Sequence, residues 1–137
     1  RTAILLAATL LALFDRDEGS AVSPEASATT ETVQRAVEFI ESDPTADMTV
    51  EDIAAASHVT ARALQLAFRR HLDTTPMAYV RRVRLQRLHQ ELRHADPADG
   101  ATVTAAAARW GFQQMGRLSA QYRDMFGESP RDTLRRP

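Results

Sequence analysis

Residues 61–72 place side chains with base-reading chemistry on the solvent side of a predicted helix. Arg62, Gln65, Leu66 and Arg69 share that side at helical spacing. An arginine can form two hydrogen bonds with guanine in the major groove of DNA, and a glutamine can do the same with adenine. Alternatively, the two arginines only solvate an exposed helix face. The residue types therefore indicate a DNA-reading surface without excluding the simpler interpretation.

Residue types that serve in catalysis or metal binding lack the necessary spacing. The sequence contains no cysteine, which excludes disulfides and cysteine-based zinc sites. The histidines do not show the i, i+4 spacing of a helical metal pair; they are His58, His71, His89 and His94. There is no glycine-rich phosphate loop, and Ser119 has no histidine near it in the sequence. We therefore predict that the protein is not an enzyme and needs no cofactor or metal.

The net charge of −1 conceals an uneven distribution along the chain. Residues 1–57 contain three arginines against eleven aspartates and glutamates, a net charge of −8. Residues 58–137 contain fourteen arginines against seven acidic residues, a net charge of +7. Such asymmetry indicates a polyanionic partner for the basic half. All 17 basic residues are arginine, which codon usage would explain equally well.

The spacing of apolar residues is helical from Thr30 onward. The first stripe follows the i, i+3, i+4, i+7 pattern and consists of Val33, Ala36, Val37 and Ile40. Asp43-Pro44 ends this helix, because a residue before proline is disfavoured in the α conformation. No segment shows the sustained alternation of a strand, so we predict an all-α fold.

Two short helices with a break at residues 57–59 follow. Thr49, with Asp52 three residues later, is typical of a helix start, and Thr60 is a favourable N-cap for the second helix. A helix, a tight turn and another helix form a helix-turn-helix motif.

A long helix connects this motif to a second copy of it. The sequence FRRHLDTTPMAYVRR, residues 68–82, recurs as YRDMFGESPRDTLRR, residues 122–136, at an offset of 54. Upstream the offset is 53, so the second turn is one residue longer. We predict two helix-turn-helix subdomains joined by a long linking helix, plus an N-terminal apolar helix.

The N-terminal run AILLAATLLALF, residues 3–14, is apolar almost all round. It is shorter than the ~20 residues that cross a bilayer. Acidic residues also stand where a signal peptide would be cleaved, which makes a signal peptide the less favoured alternative. We predict that the run packs against another copy of the chain or against the helix at residues 30–42, and that it does not enter a membrane.

From about Val33 to Arg136, the sequence resembles the AraC/XylS family of transcription regulators. The resemblance rests on MTVEDIAAASHVTARALQLAFRRHLDTTPMAYVRRVRL and, more specifically, on AAARWGFQQMGRLSAQYRDMFGESPRDTLR, with its aromatic-Gly-Phe turn and F-G-x-S-P ending. It implies seven short helices and a bacterial, cytoplasmic, nucleoid-associated activator or repressor. It also implies duplex DNA as the partner, with RNA polymerase as a further candidate. Self-association through residues 3–14 is expected from their apolar character and not from the resemblance.

The resemblance also suggests how the chain is divided. By this resemblance, residues 1–18 look like the tail of an upstream effector or dimerisation domain, although their own chemistry shows only an apolar helix. Residues 19–29 are predicted to be a linker, because GSAVSPEASA, residues 19–28, is small, polar and contains proline. Because residue 1 is not methionine, we interpret the chain as a fragment or a processed form. The DNA-binding domain takes residues 30–137, with unit one at about 30–75, the linking helix at about 76–94 and unit two at about 95–137.

The resemblance places the family's base-reading positions on Arg62, Gln65 and Leu66. We assign Gln114 and Arg117 to the same role in unit two. Leu66 departs from the charged residue common at its position, so it could only contact a thymine methyl or pack. The predicted phosphate contacts are Arg69, Arg70, Arg109 and Arg123, together with the helix starts near Met77 and Arg131.

Unit one is predicted to be the main base reader. Gly116 lowers the helix propensity of the second reading helix, and neither Gln113 nor Gln114 is a strong cap. Ala106 also stands where unit one has Ile53, which predicts a thinner core for unit two.

The linking helix would span roughly 28 Å at ~1.5 Å per residue. Successive major-groove segments on one face of DNA lie about 34 Å apart, so a monomer could read two of them. Four arginines surround this helix, and some are predicted to pair with Asp73, Glu91 or the acidic half; they are Arg81, Arg82, Arg84 and Arg87.

A helical adaptor is the alternative function. Its acidic N-terminal half would dock a basic protein, and it would bind DNA weakly and without sequence preference.

Overall fold

The computed structural model describes residues 24–45 and 47–136, with side chains described from residue 29 onward. Seven α-helices and no strand occur in this part of the chain, which confirms the all-α prediction. The helices are α1 (Pro24–Ser42), α2 (Val50–Ala56), α3 (Ala61–Leu72), α4 (Pro76–His94), α5 (Val103–Arg109), α6 (Met115–Phe126) and α7 (Pro130–Arg135). A 3₁₀ turn, Pro97–Asp99, separates α4 from α5. The predictions for residues 1–18, including self-association, lie outside the described residues.

Helix α1 begins earlier than the apolar stripe indicated. Its first residue is Pro24, so residues 24–29 of the predicted linker are helical. Proline is favoured at the first helical position, where its missing N–H has no partner to lose. The small residues that suggested a linker include alanines, which have the highest helix propensity. The correction therefore concerns the start of the helix.

The described chain forms two compact units, with the boundary inside α4 between Arg81 and Arg82. In unit one, α1 packs on α2 and α3. The whole predicted stripe of α1 is buried: Val33, Ala36, Val37 and Ile40. Phe68 of α3 is also buried, and its ring meets Tyr79 of α4 edge-on, with centroids 5.9 Å apart.

Side-chain caps fix the starts of the two helices in the first helix-turn-helix motif. Thr49 and Asp52 form the predicted capping box at α2, each side chain accepting the other residue's backbone N–H. At α3, the Thr60 hydroxyl accepts the Ala63 N–H at 3.1 Å. Such caps contribute ~1 kcal/mol each, so both helices begin at defined residues.

The core of unit two has a smaller aliphatic residue than unit one at one position, but it gains aromatic side chains at its turn and at the end of α6. Ala106 is buried at the position of Ile53, as predicted. However, three aromatic side chains pack against the core cluster where unit one has Ser57, Val59 and Leu72. They are Trp110, Phe112 and Phe126. The expectation of a thinner core therefore holds at one position but misses the aromatic contribution.

The two turns share their backbone hydrogen bonds at the offset of 53 residues. The His58 N–H donates to the Ala55 carbonyl at 3.2 Å, and the Gly111 N–H donates to the Ala108 carbonyl at 3.1 Å. Both donors are left-handed, with φ of 61° at His58 and 84° at Gly111. Four residues separate α2 from α3 and five separate α5 from α6, which confirms the predicted longer second turn.

Candidate nucleic-acid interface

The exposed face of α3 carries all the side chains that the sequence assigned to it. The opposite face is anchored by Leu64, Ala67 and Phe68, which are almost fully buried. Six residues on successive turns of α3 are exposed: Arg62, Ala63, Gln65, Leu66, Arg69 and Arg70. Because the buried face fixes the rotation of the helix, three cations, one amide and two apolar side chains are presented together to solvent.

Arg69 has a weak partner, Asp73, at the C-cap of its own helix. Its guanidinium lies 3.5 Å from the Asp73 carboxylate, and both side chains are mostly exposed. Exposed pairs at i, i+4 contribute little and are screened by salt. Asp73 therefore pairs with Arg69. The sequence had suggested Asp73 as a partner for the arginines of α4.

The corresponding face of α6 is poorer in hydrogen-bonding groups. At the offset of 54, Ser119 stands for Gln65 and Ala120 for Leu66. An exposed acid, Asp124, stands for Arg70. Sequence reasoning missed this acid, although the repeat alignment contained the signal. An anionic side chain on this face opposes contact with a polyanion, which supports the ranking of the two units.

The remaining predicted contacts of α6 are Gln114 and Arg117 at its start and Arg123 in its last turn. Gln114 is the N-cap residue, is exposed and makes no side-chain cap hydrogen bond. Arg117 and Arg123 are exposed as well. The start of α6 therefore lacks the cap that Thr60 gives α3, as predicted.

Arg109 is engaged inside unit two. Its guanidinium forms an ion pair with Glu91 of α4, and the Trp110 indole N–H donates to the same carboxylate at 3.2 Å. Hydrogen bonding to Glu91 and the charge of that group raise the pKa of Arg109 above its ordinary value. The sequence predicted a phosphate contact for Arg109, but much of its charge is compensated by a residue 18 positions away.

The two phosphate contacts predicted at helix starts, Met77 and Arg131, differ in their exposure to solvent. At α4, the Thr75 hydroxyl accepts the Ala78 N–H at 3.1 Å, and Met77 is half-buried. At α7, Arg131 is exposed beside the capping box of Ser129 and Asp132. Hydrogen bonds from Ser129 hold the pKa of the Asp132 carboxyl below its ordinary value.

A directional chain of hydrogen bonds crosses the interior of unit two. Its last acceptor, the Glu128 carboxylate, takes the Thr133 hydroxyl hydrogen and pairs with Arg136 at 3.1 Å. Tyr122 must then donate to Thr133, at 2.7 Å, and His89 Nδ1 must donate to Tyr122, at 2.8 Å. The sequence gave no indication of this chain, because 33 residues separate His89 from Tyr122.

His89 also borders an open cavity of about 430 Å³ in unit two. Its ring stacks on Phe126 with centroids 4.0 Å apart. Burial and the nearby Arg93 guanidinium lower the pKa of His89, and Glu128 opposes them. Burial likewise raises the pKa of the Tyr122 phenol. The histidine is therefore held as a neutral hydrogen-bond donor near neutral pH.

Neither a metal site nor a membrane span was found in the described ranges. No cluster of three His, Asp or Glu residues there could hold a metal ion. None of the helices at residues 24–45 and 47–136 is long and apolar enough to cross a membrane.

Two helix-turn-helix motifs, each exposing arginines on its second helix, define the class of tandem helix-turn-helix DNA-binding proteins. A family profile described as "Helix-turn-helix domain" matches residues 53–136. A solved structure, of a probable AraC family transcriptional regulator from Rhodopseudomonas palustris, is 41% identical with a TM-score of 0.71. The matched region covers 77% of this chain and 98% of the chain in the solved structure. The chain belongs to the AraC family of transcription regulators and contains their DNA-binding domain.

Curated relatives of greater length agree with this assignment. The probable thc operon regulatory protein of Rhodococcus erythropolis is 39% identical over 103 residues, which cover 75% of this chain and 31% of that protein. XylDLEGF operon transcriptional activator 1 of Pseudomonas putida is 38% identical over 104 residues, with the same coverage of 75% and 31%. The chain thus spans about a third of the length of these relatives.

Proposed function

We propose that this chain binds duplex DNA sequence-specifically and regulates transcription from the bound site. The observation that carries the proposal is the exposed face of α3, where hydrogen-bonding and cationic side chains lie together above a buried opposite face. Second helices of helix-turn-helix motifs enter the major groove with such a face. The names of the relatives, operon regulators and activators, support activation as the outcome.

Base reading is assigned mainly to α3. Arg62 pairs with a guanine and Gln65 with an adenine, the bases that match their hydrogen-bonding geometry. Leu66 faces the groove beside Arg62. In unit two, Gln114 and Arg117 make a smaller contribution, because their helix lacks a cap and exposes Asp124.

Phosphate contacts orient the protein on the duplex. We assign them to exposed arginines and to the free backbone amides at the start of α4. They are Arg69, Arg70, Arg123, Arg131 and the amide of Met77. Arg109 is withdrawn from this set, because Glu91 already binds its guanidinium. Its role is to hold the α5–α6 turn against α4.

The two reading helices would occupy successive segments of the major groove. Helix α4 contains 19 residues, or roughly 28 Å at ~1.5 Å per residue. One turn of DNA is about 34 Å. An activator of this kind would also contact RNA polymerase, and residues 3–14 would mediate self-association.

Selection of bound sequences from random duplex DNA tests this function. The purified chain is expected to recover a motif with two half-sites centred about 10 base pairs apart. Recovery of no motif, with weak binding to all sequences, would contradict the proposal and favour the adaptor. A single half-site would retain sequence-specific binding but refute the role of α6.

A further inference from the structure

Leu66 is exposed where a soluble helix would ordinarily place a polar residue. Its exposed fraction is 59%, and within the described part of the chain the other large exposed apolar side chain is Phe39 at 37%. Scattered apolar residues are common on surfaces. Leu66 differs because it stands at the centre of a face whose other members have DNA-binding chemistry.

The position of Leu66 excludes a packing role within unit one. At about 100° per residue, it lies within about 60° of Arg62 and of Arg69 on the helical wheel. The core side of α3 is occupied by Leu64, Ala67 and Phe68, each 2% exposed or less. Of the two roles that the sequence left open for Leu66, packing against the core is therefore ruled out.

The major groove offers one apolar group on its base edges, the C5-methyl of thymine. The arginines beside Leu66 attract phosphates and guanines, so they would bring the leucine to the floor of the groove. Leucine has no polar group that could form a hydrogen bond with a base there. Ala63, exposed one turn earlier, extends the apolar strip. In α6 the equivalent of Leu66 is Ala120, which is too short to cover a methyl to the same extent.

We propose that Leu66 buries a thymine C5-methyl group and so makes thymine a specificity determinant in the half-site read by α3. This inference rests on the proposed function and adds the base class that this position selects. Burial of one methyl group changes affinity by about fourfold. The effect is small enough to require a probe that changes nothing else in the duplex.

Deoxyuridine is that probe, because it keeps the pairing of thymine and lacks only the methyl group. Each thymine of the selected α3 half-site would be replaced in turn, and dissociation constants would be measured by titration. Wild-type protein is expected to bind about fourfold more weakly at one position. Leu66→Ala should lose most of this difference, because alanine covers less of a methyl group. Leu66→Met, which keeps an apolar chain, should retain the difference.

Phe39→Ala provides the matched control, since it removes the other exposed apolar side chain from α1. It should show the wild-type response to deoxyuridine. Leu66 is exposed, so Leu66→Ala should keep the helicity and thermal unfolding of the wild type, and both would be recorded.

The outcomes separate this inference from the proposed function. Selection that recovers no motif overturns both. A recovered motif without thymine in the α3 half-site, or wild-type binding that ignores every deoxyuridine, overturns the inference alone. So does a Leu66→Ala variant that remains as sensitive as the wild type at the same position.

Discussion

Arg62 and Gln65 are exposed on a helix whose rotation is fixed by three buried residues, so their direction is set by packing on the other side. Arg62→Ala is expected to weaken binding to the selected site by ~1–3 kcal/mol and to relax preference at one base pair, because a bidentate contact is lost. Gln65→Ala should do the same at a neighbouring base pair. Titration of labelled specific and scrambled duplexes measures both effects.

Arg117→Ala is the comparison in unit two, where we expect a smaller change in the specific-to-scrambled ratio. At the offset of 54 residues, Arg62 itself corresponds to Gly116. If Arg117→Ala collapses that ratio while Arg62→Ala leaves it unchanged, the ranking of the two units is reversed. If neither variant changes it and both remain folded, these side-chain assignments are wrong even though the chain belongs to the family.

His89 gives unit two a dependence of stability on pH. Its pKa in the folded protein lies below the ordinary value of 6.5. The unfolded chain therefore binds the proton more readily, and stability should fall as the pH drops below about 6.5 toward the folded pKa. Above that value His89 contributes no pH dependence. Asp132, whose pKa is also lowered, acts only below its ordinary value of 3.8.

His89→Gln is expected to reduce this loss, because glutamine can still donate to Tyr122 but does not titrate. The free energy of unfolding would be measured by urea titration at about pH 7 and about pH 5. The difference between the two pH values should be smaller in the variant. Equal differences in the variant and the wild type would show that His89 does not couple folding to pH.

At the scale of elements, local signals in the sequence were sufficient for the helices of both motifs. The apolar stripe of α1 and the capping box at Thr49 depend on neighbours within a few residues. The one-residue difference between the turns followed from aligning the two copies of the motif. The ion pair of Arg109 with Glu91 and the hydrogen bond of His89 with Tyr122 join different helices. Such contacts depend on how the helices pack, which periodicity does not specify.

Two glycines of unit two are expected to respond oppositely to replacement by alanine, because Gly111 lies in the turn and Gly116 lies in the helix that follows it. Gly111→Ala is expected to destabilise the protein by on the order of 1–2 kcal/mol, because an L-residue is strained in the left-handed region. Its φ is 84°, and the new Cβ would lie 3.3 Å from the Arg84 guanidinium. Gly116→Ala should instead stabilise by up to ~1 kcal/mol, since it is helical and has open space around it.

Thermal and urea unfolding of the two variants provide the measurement. The opposite signs are the informative result, because both changes add the same methyl group in the same unit. Destabilisation by Gly116→Ala would mean that α6 starts later than Met115. A neutral Gly111→Ala would mean that the second turn can leave the left-handed conformation without loss.

At the scale of the whole molecule, the charge is divided between the two ends of the sequence. The acidic segment, residues 1–57, precedes α3. The basic segment, residues 58–137, contains α3 and α6, the two helices that we assign to base reading. In the basic part, Arg69, Arg109 and Arg136 form ion pairs with Asp73, Glu91 and Glu128, which partly compensate the charge of these arginines. The other exposed arginines of α3 and α6 are Arg62, Arg70, Arg117 and Arg123.

Binding should therefore depend strongly on salt. Neutralising on the order of 4–8 phosphates gives a slope of about −4 to −7 for log K against log salt, because each releases ~0.9 of a counterion. Arg123→Ala should reduce the magnitude by about one unit and weaken all sequences about equally. Arg35→Ala is the control, since Arg35 lies on α1 and pairs with Glu31 at 2.8 Å. Its slope should equal the wild-type slope. A nearly flat wild-type response would instead support the adaptor, because a protein-docking surface releases few counterions from DNA.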